Sequence, residues 1–258
     1  MDRATPIGVG LAFAAIIGAN ILEGGNPMSL MLLPPIILVI GGTVGAAIAG
    51  CTMADLKSSL AALKRAMGYK AAPPAEMVPV VVELADKARR GGLLTLEDAV
   101  ADMDDEFLKK GVSLAVDGTD AEEIREILEA EAHAKKKLAK QDAKFYNDMG
   151  GYAPTIGIIG TVMGLVHVLE NLSEPDKLGH LIAGAFVATL WGVMTANVLW
   201  LPIGSRLIRI GDLEAARMEI IIEGVLAVQS GSNPRVVAQR LQSLLADDGA
   251  TNAQAKAA

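Results

Sequence analysis

Residues 150–169 read GGYAPTIGIIGTVMGLVHVL and contain no Asp, Glu, Lys or Arg. That is the length of about 20 apolar residues that an α-helix needs to cross a bilayer. The run has a polar prelude. Between Ala121 and Gly150 there is no Gly or Pro, so one helix is predicted to begin in charged sequence and continue into the span. Working outward, residues 4–22, a window within 24–54 and residues 178–205 also lack Asp, Glu, Lys and Arg. The fourth window is predicted to continue as an amphipathic helix to Val228, with Leu207, Ile210, Leu213, Ile221, Val225 and Val228 on its apolar face. The expected fold is an all-α integral membrane protein. It has four transmembrane helices, a helical domain between spans 2 and 3, and spans 3 and 4 extended beyond the membrane.

Composition agrees with this reading. Of the 258 residues 52% are hydrophobic but only 3% aromatic, with 27 glycines and a formal charge of −7. Mean hydropathy is +0.39. Close-packed membrane helices favour Gly, Ala, Ser and Thr, whereas a large soluble core recruits more aromatic residues. A basic face for nucleic acid is not indicated. The single cysteine, Cys51, excludes an intramolecular disulfide and is expected to be a small buried residue. Arg3 before the first apolar run would suit a signal peptide, but a second span follows at once.

Orientation follows from the basic residues flanking the spans. Lys57, Lys64 and Arg65 follow the second span, Lys135, Lys136, Lys137, Lys140 and Lys144 precede the third, and Arg206, Arg209 and Arg217 follow the fourth. Of the two opposite loops, 23–29 has no basic residue and 171–179 only Lys177. The polar block and both termini of this multi-pass membrane protein are therefore expected in the cytoplasm. The expected division is 1–50 for spans 1 and 2, 51–148 for the cytoplasmic helical domain, 149–205 for spans 3 and 4, and 206–258 for a C-terminal helix and tail. The tail from 247 to 258, DDGATNAQAKAA, reads as disordered. No internal repeat is evident.

Inside the polar block, residues 84–98 read LADKARRGGLLTLED. Met77, Val80, Val81, Leu84 and Ala88 recur at helical spacing, and Gly91-Gly92 should stop that helix. Thr95 with Asp98 three residues on resembles a capping box. Asp117-Gly118-Thr119-Asp120 reads as a turn and a cap. The charges around Gly91-Gly92 suit either a solvated surface or a docking surface that uses both signs for orientation and fast association.

Within the spans, Pro154, Gly157, Thr161, Gly164 and Val168 share one face, and Ala185, Thr189, Gly192 and Ala196 another. Two readings stand: close helix packing with each threonine bonded back to its own helix, or hydroxyls lining a hydrated passage beside a partner helix. Pro154 and Pro202 lie in antiparallel spans at similar expected depth, which suggests a hinge at the membrane–cytoplasm boundary. His167 and His180 lie near span ends. An autonomous ion carrier usually keeps an ionisable group within the membrane; if ions cross here, a second polypeptide is expected to bring the carboxylate.

These segments together resemble the A subunit of the bacterial flagellar stator, the MotA/PomA family. The resemblance rests on LADKARRGGLLTLED, KKGVSLAVDGTD, APTIGIIGTVMGL, AFVATLWGVMTANVLWLPI and EGVLAVQSGSNPRVV. It implies a non-enzymatic motility protein without a resident cofactor, five copies of which surround two B-type subunits. The B subunit supplies the aspartate that carries H+ or Na+. Ion flow then turns the A ring, and its cytoplasmic loops push on the rotor protein of the switch complex. By position, the resemblance makes Arg89, Arg90, Glu97 and Arg235 rotor-contacting; Asp98 replaces a glutamate of many members. It makes Pro154 and Pro202 coupling residues, and Thr161 and Thr189 neighbours of the ion path; Thr161 is compatible with either ion. The alternatives are an ExbB/TolQ-like energiser, usually with three spans, a non-flagellar ion-driven stator of the same superfamily, and an autonomous channel.

Overall fold

The structure is a computed structural model that describes residues 4–69, 73–101, 103 and 105–255. Among the described residues it is helical without strands: α1 (Ala4–Leu22), a 3-10 turn (Pro27–Leu30), α2 (Leu33–Ala49), α3 (Met53–Gly68), a second 3-10 turn (Pro74–Glu76), α4 (Met77–Gly91), α5 (Thr95–Ala101), α6 (Glu106–Val116), α7 (Ala121–Glu170), α8 (Pro175–Thr195), a π-helical turn (Ala196–Trp200), α9 (Leu201–Gln229) and α10 (Pro234–Ala255). Two compact units result: Met1–Lys70 with Ala139–Arg209, and Ala71–Leu138 with Ile210–Ala258.

The first unit contains the apolar helices. Ala4–Leu22, Ala121–Glu170 and the continuous Pro175–Gln229 are long and apolar enough to cross a membrane, while Leu33–Ala49 is a shorter apolar helix of 17 residues. At 1.5 Å per residue, 17 residues reach about 25 Å. Pro34 and Pro35 set its start, since proline suits a first helical turn, and the chain before it is taken up by the 3-10 turn. Small residues let α2 and α7 approach: a methyl at Gly42 would lie 3.0 Å from Ile156 Cγ2, and one at Gly160 2.9 Å from Leu38 Cδ2. The Trp191 indole N–H donates to Leu30 O at 2.7 Å, which ties α8 to the first 3-10 turn.

The second unit has an ordinary aliphatic core. Leu84, Leu96, Leu108, Ile124, Leu128, Ile221, Val225 and Leu241 are at most 2% exposed, so α4, α5, α6, α7, α9 and α10 all contribute to one cluster. Ion pairs rim it. Arg125 Nη1 lies 2.8 Å from Glu223 Oε1, Arg240 also reaches Glu223, and Arg217 Nη2 lies 2.7 Å from Asp105 Oδ2. Hydrogen bonding to Glu223 holds the Arg125 guanidinium above its ordinary pKa. Asp105 also caps α6, accepting from Leu108 N at 2.9 Å.

Three local expectations change. Thr95 does not form the capping box with Asp98; its hydroxyl donates to Gly92 O at 2.7 Å, because the tight turn brings that carbonyl closer. In 247–255, where the sequence reading expects disorder, α10 continues as helix to Ala255; Ala and Gln favour helix. Cys51 is half-exposed just after α2, with its thiol against Ile48 O.

Candidate functional site

The two small-residue stripes face each other across the α7–α8 contact. A methyl group at Gly157 would lie 2.9 Å from Ala188 O and 3.1 Å from Thr189 Cα; at Gly192 it would lie 2.6 Å from Ala153 O. Gly164 is equally tight, 2.6 Å from Ala185 Cβ. The small residues thus let the two helix backbones touch at Gly157 and Gly192. Thr161 and Thr189 meet there, their hydroxyl oxygens 2.5 Å apart. Thr161 Oγ1 lies 3.1 Å from Ala185 O and 3.3 Å from Gly157 O, and Thr189 Oγ1 lies 3.3 Å from Gly157 O. A hydroxyl both donates and accepts, so Thr189 can donate to Thr161 while Thr161 donates to Ala185 O. Both side chains are half-buried. Close packing and a polar spot coexist here, and the hydroxyls bridge the helices as well as bonding back.

The prolines sit in unbroken helix. Pro154 lies inside α7. Pro202 follows the π-turn, in which Leu201 N–H donates to Ala196 O; this wider turn takes up the register that a proline without an N–H disturbs. Their depths differ from the level pair expected. Pro154 Cα is 3.3 Å from where a Gly192 methyl would stand, whereas Leu201 lies against Gly150 and Gly204 against Asn147 and Ala143 O. Pro202 therefore stands opposite residues about one helical turn earlier in α7 than Pro154.

Sequence reasoning missed a set of polar contacts among α1, α3, α7 and α9. Asp142 is 3% exposed and accepts from Ser58 Oγ at 2.6 Å. The Tyr146 phenol donates to Ser59 O at 3.1 Å, and burial pushes its pKa up to about 12, so it stays a neutral donor. Arg206 donates to Thr5 Oγ1 at 3.0 Å and to Ala66 O at 3.2 Å. Asp142 and Tyr146, at an i, i+4 spacing, were the available signal. His167 and His180 are exposed and line the mouth of a mostly apolar cavity of about 360 Å³ together with Leu32, Pro35, Leu38 and Gly184.

In the second unit, Gly92 adopts φ +82°, a conformation reserved for glycine, and a methyl at Gly91 would meet Thr95 Cγ2 at 2.5 Å. The turn folds the end of α4 back toward α5. Arg89, Arg90, Glu97 and Asp98 are all exposed around it; Arg90 pairs with Asp86 at 2.8 Å. Leu94, between them, is also exposed although its neighbours Leu93 and Leu96 turn inward. Arg235 is exposed in the first turn of α10, which packs along α4.

Comparison with known proteins decides the family. The family described as Motility protein A N-terminal matches residues 6–92, and the MotA/TolQ/ExbB proton channel family matches residues 99–220. Motility protein A of Bacillus subtilis is 39% identical over 243 residues, covering 93% of this chain and 90% of that protein. The chain belongs to the MotA/PomA family. Solved structures of the same family superpose over nearly its whole length. The Campylobacter jejuni MotAB structure gives a TM-score of 0.91 at 31% identity, covering 95% of this chain and 96% of that one. The flagellar MotAB stator complex from Bacillus subtilis gives 0.87 at 38% identity, covering 93% and 95%. The expected all-helical fold and the family resemblance are both borne out.

Proposed function

We propose that this chain is the A-type subunit of a flagellar motor stator: with a B-type subunit it forms an H+ or Na+ channel and converts ion flow into rotation. The observation that carries this is the near-complete superposition on two MotAB structures, one of them a flagellar stator complex. The match of residues 6–92 to the Motility protein A N-terminal family favours it over an ExbB/TolQ-like energiser, since only the match over residues 99–220 is described as common to both.

In this reading α1, α2, the later part of α7 and the stretch from α8 to about residue 205 are the four crossings. They lie in the bacterial inner membrane with both termini in the cytoplasm, as the flanking Lys and Arg support. Residues 1–50 are peripheral, 149–205 surround the partner, 51–148 carry the docking surface and 206–258 extend it. Five copies surround two B subunits, whose carboxylate carries the ion past Thr161 and Thr189. Their oxygens present acceptors at the α7–α8 contact, a suitable setting for Na+ or a hydrated proton.

Torque passes from the spans to the rotor by way of Pro154 and Pro202, which soften α7 and the α8–α9 helix near the cytoplasmic side. Contact with the rotor is made by Arg89, Arg90, Glu97, Asp98 and Arg235. One charge crossing 100 mV releases about 2.3 kcal/mol, whereas an exposed ion pair is worth about 0–1 kcal/mol. Exposed charges are therefore weak enough to be released at each step, which a buried pair is not.

Arg90→Glu is expected to reduce swimming several-fold in a complemented strain while membrane level and co-purification with the B subunit stay unchanged. A charge reversal on the rotor protein should restore part of it; unchanged swimming would return the turn to a solvated surface. Pro154→Ala should lower single-motor torque more than it lowers stator incorporation, measured by tethered-bead rotation and fluorescent counting. Equal torque per stator would remove the coupling role.

A further inference from the structure

We infer that α3 is a membrane-surface helix whose outward face binds anionic phospholipid headgroups. This inference requires only that α2 enters a bilayer and is independent of any motor role.

The face is defined by spacing. Met53, Lys57, Leu60, Lys64 and Met67 recur at intervals of four and three residues, which stacks them on one side of a helix. Met53 is 64% exposed, Leu60 54% and Met67 66%; both lysines are exposed as well. Three large apolar side chains in a row are unusual on a water-facing helix that carries charge. An apolar strip bordered by lysines is the pattern of a helix lying in the headgroup layer, with the lysine stems along the apolar strip and their ammonium groups reaching outward.

The opposite face is fixed to protein, so α3 is not free to roll this strip inward. Ser59, Ala62 and Ala66 are buried. Tyr146 donates to Ser59 O and Ser58 donates to Asp142, while Arg206 holds Ala66 O near the other end. The start is also set: Thr52 and Asp55 form a complete capping box, and the bond from the Thr52 hydroxyl keeps the Asp55 carboxyl below its ordinary pKa.

Position and charge select the occupant. Only Gly50, Cys51 and Thr52 separate α3 from the apolar α2, so α3 begins where an apolar helix leaves the bilayer. Lys57, Lys64 and Arg65 oppose a single acid, Asp55, and Asp55 is engaged by its cap. A second copy packed face to face would bring lysines against lysines, a like-charge pairing that an anionic lipid surface reverses. Each lysine near such a surface contributes attraction that salt screens.

The test uses the full chain, with its B-type partner, reconstituted in bilayers. In a Cys51→Ser background, a nitroxide is placed at Leu60→Cys, with Glu122→Cys on exposed α7 as a water-facing control. Collision with oxygen and with a water-soluble nickel chelate is measured in phosphatidylcholine alone and with phosphatidylglycerol added. The expected result is a probe at 60 shielded from nickel and open to oxygen, more so with phosphatidylglycerol, and loss of that lipid dependence in Lys57→Glu/Lys64→Glu. Nickel access equal to the control in both bilayers would overturn the inference. So would a probe immobilised equally in detergent and in both lipids, which would mean protein covers the face. Shielding that ignores both lipid charge and the lysine reversals would overturn the anionic specificity.

Discussion

Gly192→Val is expected to abolish swimming in a complemented strain and to lower the melting temperature of the purified complex, whereas Gly179→Val on the same helix leaves both near wild type. The contrast follows from what surrounds each glycine. A first carbon at 192 would stand 2.6 Å from Ala153 O, 3.1 Å from Gly157 Cα and 3.3 Å from Pro154 Cα, all main-chain or ring-bound atoms, while nothing lies within 4 Å of one at 179. Side chains can rotate away from an intruding methyl; two helix backbones cannot, so α7 and α8 must separate along their contact. Overpacking typically costs about 1–3 kcal/mol, and valine adds its branched methyls to an already impossible first carbon. Separation also pulls Thr189 from Thr161 and Gly157 O, to which it is bonded at this contact. Gly192→Val with wild-type melting and swimming would show that the close approach is dispensable.

That contact shows how far the sequence could be read. The stripes Pro154–Gly157–Thr161–Gly164 and Ala185–Thr189–Gly192 follow from helical periodicity, and each is found where periodicity puts it. Nothing in either stripe says that its mate is the other, because a small-residue face reports only that some backbone comes close. The run from Ala121 without Gly or Pro announces α7, and Gly92 announces its turn because no other residue adopts φ +82° readily. The failures have a common origin in partners distant along the chain. Asp142 looks like one more charge in a charged helix until Ser58 appears beside it, and α3 looks like part of a soluble block until Met53, Leu60 and Met67 are found facing outward. Pro154 and Pro202 read as level from their places near the span ends; the contacts of Gly150 and Gly204 set Pro202 about one turn earlier along α7.

The chain reconstituted alone into liposomes is expected to pass no more H+ or Na+ than protein-free vesicles, and co-reconstitution with the B-type subunit to raise flux at least tenfold. No Asp, Glu, Lys or Arg occupies the four apolar windows. An uncompensated ion at mid-membrane is costly, so pathways keep ionisable groups facing the route. What this chain places between α7 and α8 is a pair of hydroxyls already engaged with each other and with the Gly157 and Ala185 carbonyls. Such oxygens can relay or briefly coordinate an ion handed to them; they supply no charge to draw one in. His167 and His180 stand exposed at the helix ends, too far along α7 and α8 to serve the same turn as Thr161 and Thr189. In the proposed arrangement a carboxylate supplied by the partner resolves this, because it would attract the cation on one side and be discharged on the other, leaving the hydroxyls to smooth the passage. Thr161→Val should then reduce flux of the complex while the partner still co-purifies, whereas loss of the partner's carboxylate removes flux entirely. Robust flux from the chain alone, measured with a pH-sensitive and a sodium-sensitive dye inside the vesicles, would mean that the route is complete within the A subunit and that the division of labour between the two chains is wrong.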